Sequence, residues 1–257
     1  MSSSTDRIAG RVKIVISGLN GRMGSRIASL LEEGFDSGVL AVGGIVREPQ
    51  HQGSSHAFPI GIKAIDVMEP ADVLVEFTTP AATLSHLEEI QDAKKAAVVG
   101  TTGLSAEEWK RFEALSRKIA ILYDTNFSLG IALIRRAIVS ALKDINADFD
   151  CSIVEIHHKG KKDAPSGTAK DLAELMVTAV GEKPDVFSLR LGEVPGEHKI
   201  YLATPYEVLE LSHRVYSRDA FAAGAIYASK WIYGQKPGLY RFLDVLNYNK
   251  EFDALAR

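Results

Sequence analysis

The stretch Val12–Ser17 (VKIVIS) followed by Gly18–Gly24 (GLNGRMG) decides the fold. The first segment is nearly continuous in apolar, β-branched residues, as expected of a strand that is buried on both faces. A helix is predicted after the glycine-rich loop, with Gly34 as its C-cap. Its apolar face would consist of Met23, Ile27, Leu30 and Leu31. This order of strand, loop and helix is typical of a dinucleotide-binding sheet.

The same alternation continues through the first half of the chain. Ser105 and Glu108 form a capping box that predicts the start of another helix. Strands that alternate with helices imply right-handed crossovers and a mostly parallel sheet. Further strands are predicted at Val39–Val46, Asp72–Phe77, Ala96–Val99 and Ile119–Tyr123, with a helix at Ala81–Lys95.

Small and polar residues gather where these predicted strands end. The four segments are Gly18–Gly24, Phe77–Pro80, Gly100–Gly103 and Asp124–Phe127. Ligands of parallel sheets bind beyond the carboxyl ends of the strands, so we expect a crevice there. The glycines allow a tight turn and a close approach of the backbone to a pyrophosphate, which the helix N-terminus then attracts.

The end of the second strand indicates which cofactor is used. An acidic side chain there binds the ribose 2′-hydroxyl, whereas a basic one suits a 2′-phosphate. The strand ends with Val46 and Arg47, and Glu48 follows. Because Arg47 can pair with a phosphate, we predict NADPH or NADH as the cofactor, with NADPH favoured.

The pattern changes after residue 127. Helices are predicted at Leu129–Ile145 and Ala169–Val180, and a strand at Cys151–Ile156. We therefore predict an α/β protein with two domains: a Rossmann-like dinucleotide-binding domain, 1–127, completed by 216–257, and a smaller α+β domain, 128–215. The remaining predicted strands are Ser188–Leu191, Lys199–Ala203 and Glu207–His213, and the remaining helices are Phe221–Tyr233 and Gly238–Leu246.

The segment 155–168 (EIHHKGKKDAPSGT) is the most unusual in the chain. Two histidines and three lysines concentrate positive charge within six residues, and Ser166-Gly167-Thr168 then precedes a predicted helix. A helix start that carries hydroxyl groups is suited to a carboxylate or phosphate. Histidine can transfer a proton near neutral pH, and lysine can donate one or hold an anion. A small dicarboxylate is the substrate that this segment favours.

Composition excludes other classes. The chain has 257 residues, 30 Lys+Arg against 33 Asp+Glu, and a net charge of −3, so nothing global favours nucleic acid or an anionic membrane. No apolar run reaches the length of a membrane span. The single cysteine, Cys151, excludes an internal disulfide and favours the cytoplasm; we expect it in the core. Neither a zinc motif nor a GxSxG elbow is present, so no metal is predicted.

At these residues the chain resembles the 4-hydroxy-tetrahydrodipicolinate reductase (dihydrodipicolinate reductase) family of bacterial and plant lysine biosynthesis. The resemblance covers nearly the whole chain, and Glu155–Ala169 is its most specific element. Its other motifs are Gly18–Gly24, Phe77–Pro80, Gly100–Gly103, Asn126–Ser128, Arg190–Gly192 and Gly196–His198.

The resemblance implies NAD(P)H-dependent reduction of a small cyclic dicarboxylate imine to tetrahydrodipicolinate, in the diaminopimelate route to lysine, by a homotetramer. It implies that His157 is the proton donor and Lys161 the second catalytic residue. The implied substrate-binding residues are His158, Ser166, Gly167 and Thr168. The predicted cofactor-binding residues are Gly18, Leu19, Asn20, Gly21, Arg22, Met23, Arg47, Phe77, Thr78, Thr79, Gly100, Thr101, Thr102, Asp124, Thr125, Asn126 and Phe127.

Two alternatives stay open at this point. The first is another Rossmann-fold amino-acid or semialdehyde dehydrogenase, although a catalytic cysteine would have to be Cys151. The second is a non-enzymatic NAD(P)H sensor, which would need no histidine and lysine at the substrate end. Turnover of the cyclic substrate with a reduced cofactor discriminates between them.

Overall fold

In the computed structural model, residues 10–48, 56–142, 149–181 and 183–248 are described. The chain divides into two units. The first comprises Met1–Phe127 and Phe221–Arg257, and the second comprises Ser128–Ala220. The second unit thus extends five residues past the predicted limit of 215. The N-terminal residues 1–9 and the predicted helix residues 143–145 lie outside the described residues.

The first unit is built on a seven-stranded sheet in the order β11-β6-β5-β4-β1-β2-β3. Each pairing in this sheet is parallel, which confirms the predicted fold class. The strands are β1 (Val12–Ser17), β2 (Val39–Ile45), β3 (Ile60–Gly61), β4 (Val73–Glu76), β5 (Ala96–Val99), β6 (Ala120–Tyr123) and β11 (Gly238–Tyr240). The helices are α1 (Arg22–Glu32), α2 (Pro80–Ile90), α3 (Ala106–Ser116) and α6 (Asp219–Ile232).

The central strands of this sheet form the core of the first unit. Every residue of β4, β5 and β6 is buried, as the absence of apolar alternation in their sequences predicts. Phe112 of α3 is fully buried among them. The capping box that begins α3 is confirmed: the Ser105 hydroxyl accepts from the Glu108 N–H, and the Glu108 carboxylate accepts from the Ser105 N–H at 2.8 Å.

The second unit has a four-stranded mixed sheet in the order β10-β9-β7-β8. Two helices pack on one face of it, and Ile153 and Ile200 are fully buried there. Cys151, predicted to lie in the core, is half-buried against this cluster, and burial raises the pKa of its thiol to about 11. The elements are α4 (Leu129–Leu142), β7 (Asp150–His157), α5 (Gly167–Val180), β8 (Asp185–Arg190), β9 (Glu197–Ala203) and β10 (Val208–Arg214).

The prediction of a helix at Gly238–Leu246 is wrong. Gly238–Tyr240 is strand β11, which pairs with β6, and a 3₁₀ helix follows at Phe242–Tyr248. The reason is tertiary: the edge of β6 presents unpaired backbone groups, and the Gly238 N–H donates to the Ile119 carbonyl at 3.3 Å. The short strand β3 also has no counterpart in the sequence prediction.

None of the helices in the described part of the chain has the length and apolar character that a membrane span requires.

Candidate functional site

The glycine-rich loop of the first unit has the geometry of an anion cradle. Gly18 adopts a φ of +72°, which favours glycine, and its carbonyl accepts from the Gly21 N–H at 2.7 Å. A Cβ on Gly24 would lie 2.2 Å from the Gly18 oxygen, so only glycine lets α1 approach this closely. No side chain caps the N-terminus of α1 at Gly21, which leaves that helix end suited to a phosphate.

The other strand-end loops of the first unit meet this loop. A Cβ on Gly18 would lie 2.9 Å from the Thr78 methyl group, and the Thr78 N–H donates to the Thr101 hydroxyl at 3.2 Å. Phe77 packs edge-on against Phe127, with ring centroids 5.3 Å apart. A Cβ on Gly100 would collide with the Phe77 ring. The four predicted segments are therefore neighbours at the carboxyl edge of the sheet.

Individual residues of these loops differ in accessibility. Leu19 is buried, and its N–H donates to the Ile45 carbonyl at 3.1 Å. Asp124 and Phe127 are also buried, and the Asp124 carboxylate accepts from the Asn126 N–H at 3.2 Å. Met23 and Asn126 are half-buried. The exposed residues among the predicted cofactor contacts of these loops are Asn20, Gly21, Arg22, Thr79, Thr102 and Thr125.

Two cavities flank the glycine-rich loop. One, of about 400 Å³, is lined by Gly18, Arg47, Thr78, Thr79 and His86, among others. The second, of about 460 Å³, is lined by Gly18, Asn20, Gly21, Val46, Arg47 and Glu48. Arg47 is exposed and lines both cavities. The cradle, the free helix end and these cavities fit a dinucleotide.

A buried polar network lies beside the first cavity, and the sequence prediction missed it. The Glu76 carboxylate is fully buried and pairs with His86 Nδ1 at 2.7 Å and with the Thr78 hydroxyl. His86 Nδ1 also lies 3.3 Å from the Ser17 hydroxyl. Burial lowers the pKa of His86, but the hydrogen bond and charge of Glu76 outweigh this effect and raise it. The sequence signal was an acidic residue in an otherwise apolar strand.

In the second unit, His157 lies at the end of β7, where it is buried. Its Nδ1 pairs with the carboxylate of Glu155, which is two residues earlier and therefore on the same face of the strand. The Arg190 Nη1 donates to the other Glu155 oxygen at 2.9 Å. Burial lowers the pKa of His157 and outweighs the opposing effect of Glu155.

A row of polar side chains crosses the same face of this sheet. Glu155 is paired in register with Ser188 of β8 and with His198 of β9, and His198 with His213 of β10. The His198 ring packs edge-on against His157, with centroids 5.2 Å apart, and burial lowers the pKa of His198 to about 4. The sequence assigns no role to any of these four residues, because their partners lie on other strands.

The remaining residues predicted for catalysis and substrate binding lie around the turn after β7 and the start of α5. The Lys161 ammonium pairs with the Asp163 carboxylate at 2.8 Å, and the Lys161 N–H donates to the His158 carbonyl at 3.1 Å. Ser166 is the N-cap of α5, which begins two residues before the predicted start at Ala169, and its hydroxyl lies 3.3 Å from His198 Nε2. Gly167 is exposed and Thr168 half-buried in the first turn.

A metal ion is poorly accommodated by the residues in this cluster. Potential ligand atoms of Glu155, His157 and His198 lie within 4.8 Å of one another. The Glu155 carboxylate, however, already binds the Arg190 guanidinium and His157. A divalent ion there would face that guanidinium, and like charges repel strongly at short range. The cluster instead resembles a histidine held by a carboxylate.

Two sequence profiles match the chain: "Dihydrodipicolinate reductase, N-terminus" over residues 12–127, and "Dihydrodipicolinate reductase, C-terminus" over residues 130–246. A 4-hydroxy-tetrahydrodipicolinate reductase of Aquifex aeolicus is 38% identical, with 91% of this chain and 98% of that protein covered. One of Syntrophus aciditrophicus is 32% identical, with 92% and 99% covered. In structure, the chain is similar to a dipicolinate-bound dihydrodipicolinate reductase from Paenisporosarcina sp. TG-14, with a TM-score of 0.79, 21% identity and 91% and 99% coverage.

Proposed function

The chain belongs to the dihydrodipicolinate reductase family and its activity is 4-hydroxy-tetrahydrodipicolinate reduction with NAD(P)H, for which we propose His157 and Lys161 as the catalytic residues. The reaction gives tetrahydrodipicolinate in the diaminopimelate route to lysine. The observation that carries the proposal is the pairing of His157 Nδ1 with the buried, Arg190-bound carboxylate of Glu155. A histidine held in this way keeps one ring nitrogen free for proton transfer.

His157 donates a proton to the substrate, and Lys161 supplies positive charge beside it. Lys161 lies in the turn that follows β7, and its charge acts on both His157 and His198. The Asp163 carboxylate holds the Lys161 ammonium in place until the substrate arrives. A bound dinucleotide would supply the hydride, and the protein would supply the proton and the electrostatic environment.

The substrate is a small cyclic dicarboxylate, and we propose that the N-terminus of α5 binds one of its carboxylates. Ser166 caps this fourteen-residue helix, and Gly167 and Thr168 form its first turn. Backbone N–H groups and the helix dipole favour an anion there. His158, half-buried just after β7, supplies a further polar contact. The dipicolinate-bound structure to which the chain is similar supports a dicarboxylate ligand.

NADPH is the preferred reductant in this proposal, bound by the cofactor residues named from the sequence. Arg47 lines both cavities beside the glycine-rich loop and would pair with the 2′-phosphate. Glu48 lines one of them beside Arg47. We further propose a cytoplasmic location, which the single cysteine supports.

A homotetramer is proposed because one face of the sheet in the second unit is uncovered among the described residues of that unit. Phe187, Leu189 and Val208 lie on the face opposite α4 and α5, and each is at least half exposed. Patches of this kind mark association surfaces. Light scattering should give four chains for the wild type. Phe187→Glu should give a smaller species, whereas Ile65→Glu, at an exposed position of the first unit, should not.

The catalytic assignment is tested with substrate made from pyruvate and aspartate semialdehyde. His157→Gln and Lys161→Ala should each lower kcat by roughly 10²–10⁴, as for a lost acid–base group. Lys162→Ala, an exposed neighbour in the same lysine cluster, is the matched control and should retain activity. Near-wild-type rates for both variants of His157 and Lys161 would remove the proton transfer from these residues.

A further inference from the structure

The Glu155 carboxylate is fully buried and pairs with His157, although it has no assigned part in the proton transfer proposed above beyond that contact. It lies on β7, and each of its two oxygens binds a different partner. One oxygen pairs with His157 Nδ1, and the other accepts from Arg190 Nη1 at 2.9 Å. Burying a carboxylate is costly unless it is paired, and here both partners are cationic or can become so. A buried, paired carboxylate at this position therefore indicates a role that an apolar side chain could not fill.

Arg190 joins this carboxylate to the turn that carries Lys161. Its Nη1 binds Glu155, its Nε donates to the Lys161 carbonyl at 3.3 Å, and its Nη2 donates to the Asp163 carbonyl. The Asp163 carboxylate in turn binds the Lys161 ammonium at 2.8 Å. One guanidinium therefore connects the carboxylate that pairs with His157 to the turn that carries Lys161. A planar fork of donors suits this arrangement, which the single ammonium of lysine would not reproduce.

We propose that Glu155 and Arg190 are positioning residues for His157: the carboxylate holds the proton on Nδ1, and the guanidinium holds the carboxylate and the Lys161 turn together. This inference rests on the proposed role of His157. The paired carboxylate accepts from Nδ1–H, so Nε2 is the nitrogen that exchanges a proton with substrate. A carboxylate that fixes the tautomer of a catalytic histidine is a recurrent device in enzymes.

The surroundings of Nε2 agree with this assignment. A Cβ on Gly196 would lie 3.2 Å from His157 Nε2, so the glycine keeps space beside that nitrogen. His198 packs against the ring of His157 and stays uncharged at neutral pH, since burial lowers its pKa to about 4. Burial would raise the pKa of Glu155, but its hydrogen bonds, that of Arg190 among them, outweigh this and lower it.

The charged groups around His157 determine the sign of the pH effect. Glu155 of β7 raises the pKa of His157, whereas burial, Lys161 of the following turn and Arg190 of β8 lower it. His198 of β9 is neutral, and His213 of β10 contributes to lowering the pKa of His198. Removing the Glu155 charge should therefore lower the pKa of His157. The pH at which kcat/KM falls by half should then move to a lower value.

The test combines Glu155→Gln, which keeps the shape and removes the charge, with Glu155→Asp, which keeps the charge. Long-range ¹H–¹⁵N spectra of the full-length enzyme report which ring nitrogen of His157 carries the proton. We expect Nδ1–H in the wild type and in Glu155→Asp. In Glu155→Gln the amide can donate to Nδ1, so Nε2–H should replace it, with kcat lowered on the order of 10²–10⁴ and KM little changed.

Glu193→Gln, an exposed carboxylate after β8, is the matched control and should leave the tautomer and kcat unchanged. Arg190→Lys should lower kcat less than Glu155→Gln. A wild-type Nε2–H tautomer, or an unchanged tautomer and kcat in Glu155→Gln, would overturn the positioning role. A failure of the proposed catalytic role of His157 would give a different result. His157→Gln would then turn over at a near-wild-type rate, while the spectra of the wild type still show Nδ1–H.

Discussion

Replacing Arg47 with alanine should separate the two cofactors. Arg47 is exposed after β2, and it lines both cavities beside the glycine-rich loop. A hydrogen bond to a charged group contributes about 1.5–3 kcal/mol, and solvent screening at an exposed side chain reduces this to about 1–2 kcal/mol. Because 1.4 kcal/mol is a factor of ten, Arg47→Ala should weaken NADPH binding about 5- to 30-fold.

NADH has no 2′-phosphate, so its affinity should change by less than about twofold. Fluorescence titration of the reduced cofactor gives both dissociation constants, and the KM values follow from its oxidation with the cyclic substrate. The loss for NADPH should shrink at high salt, because screening weakens an exposed ion pair.

The matched control is Glu48→Gln, in the neighbouring position on the same cavity. Removing this negative charge should strengthen NADPH binding rather than weaken it, since like charges repel. Equal losses for NADH and NADPH in Arg47→Ala, or a loss for NADPH in Glu48→Gln, would show that Arg47 does not select the cofactor.

Three further results are expected. Gly24→Ala should weaken the binding of both cofactors by about tenfold or more in calorimetric titrations, because its Cβ would lie 2.2 Å from the Gly18 oxygen and displace the N-terminus of α1. Unchanged affinities would show that this loop does not bind the cofactor. Ser166→Ala should lower the free energy of unfolding in urea by about 1–2 kcal/mol, because α5 loses its N-cap, while Thr178→Ala on the exposed face of the same helix should lower it less. The value of kcat/KM should fall as the pH rises through a pKa below the ordinary 6.5 of histidine, because burial lowers the pKa of His157 and only its imidazolium donates a proton; a profile that is flat at mildly acidic pH would contradict this role.

Much of the first unit could be predicted because its signals are local. The run of apolar residues in β1, the glycine spacing of the loop and the capping box of α3 each act within a few residues of the chain. Strand ends were predictable as neighbours because parallel strands present their carboxyl ends at one edge. The predicted helix at Gly238–Leu246 failed because the pairing of β11 with β6 depends on a strand more than a hundred residues away.

The second unit shows the opposite case. His157 and Lys161 stand out in a cluster of charged residues, and Ser166 precedes a helix, so their chemistry is visible in the sequence. The partners that orient His157 are not visible in this way. Arg190 falls within a predicted strand and a family motif, but nothing along the chain indicates that its guanidinium binds Glu155, thirty-five residues away.

The sequence by itself thus determined the order of strands and helices, the glycine cradle and the residues able to transfer a proton, because these depend on local backbone preferences and side-chain chemistry. Only the tertiary structure decided that the Glu155 carboxylate pairs with His157, that Arg190 of β8 and His198 of β9 join them, and that Glu76 pairs with His86 inside the first unit. The physical reason is that charge state and tautomer depend on burial and on partners from other strands, which strand register alone brings together. The net charge of −3 does not indicate these pairs, because it counts the charged residues without their positions in the fold.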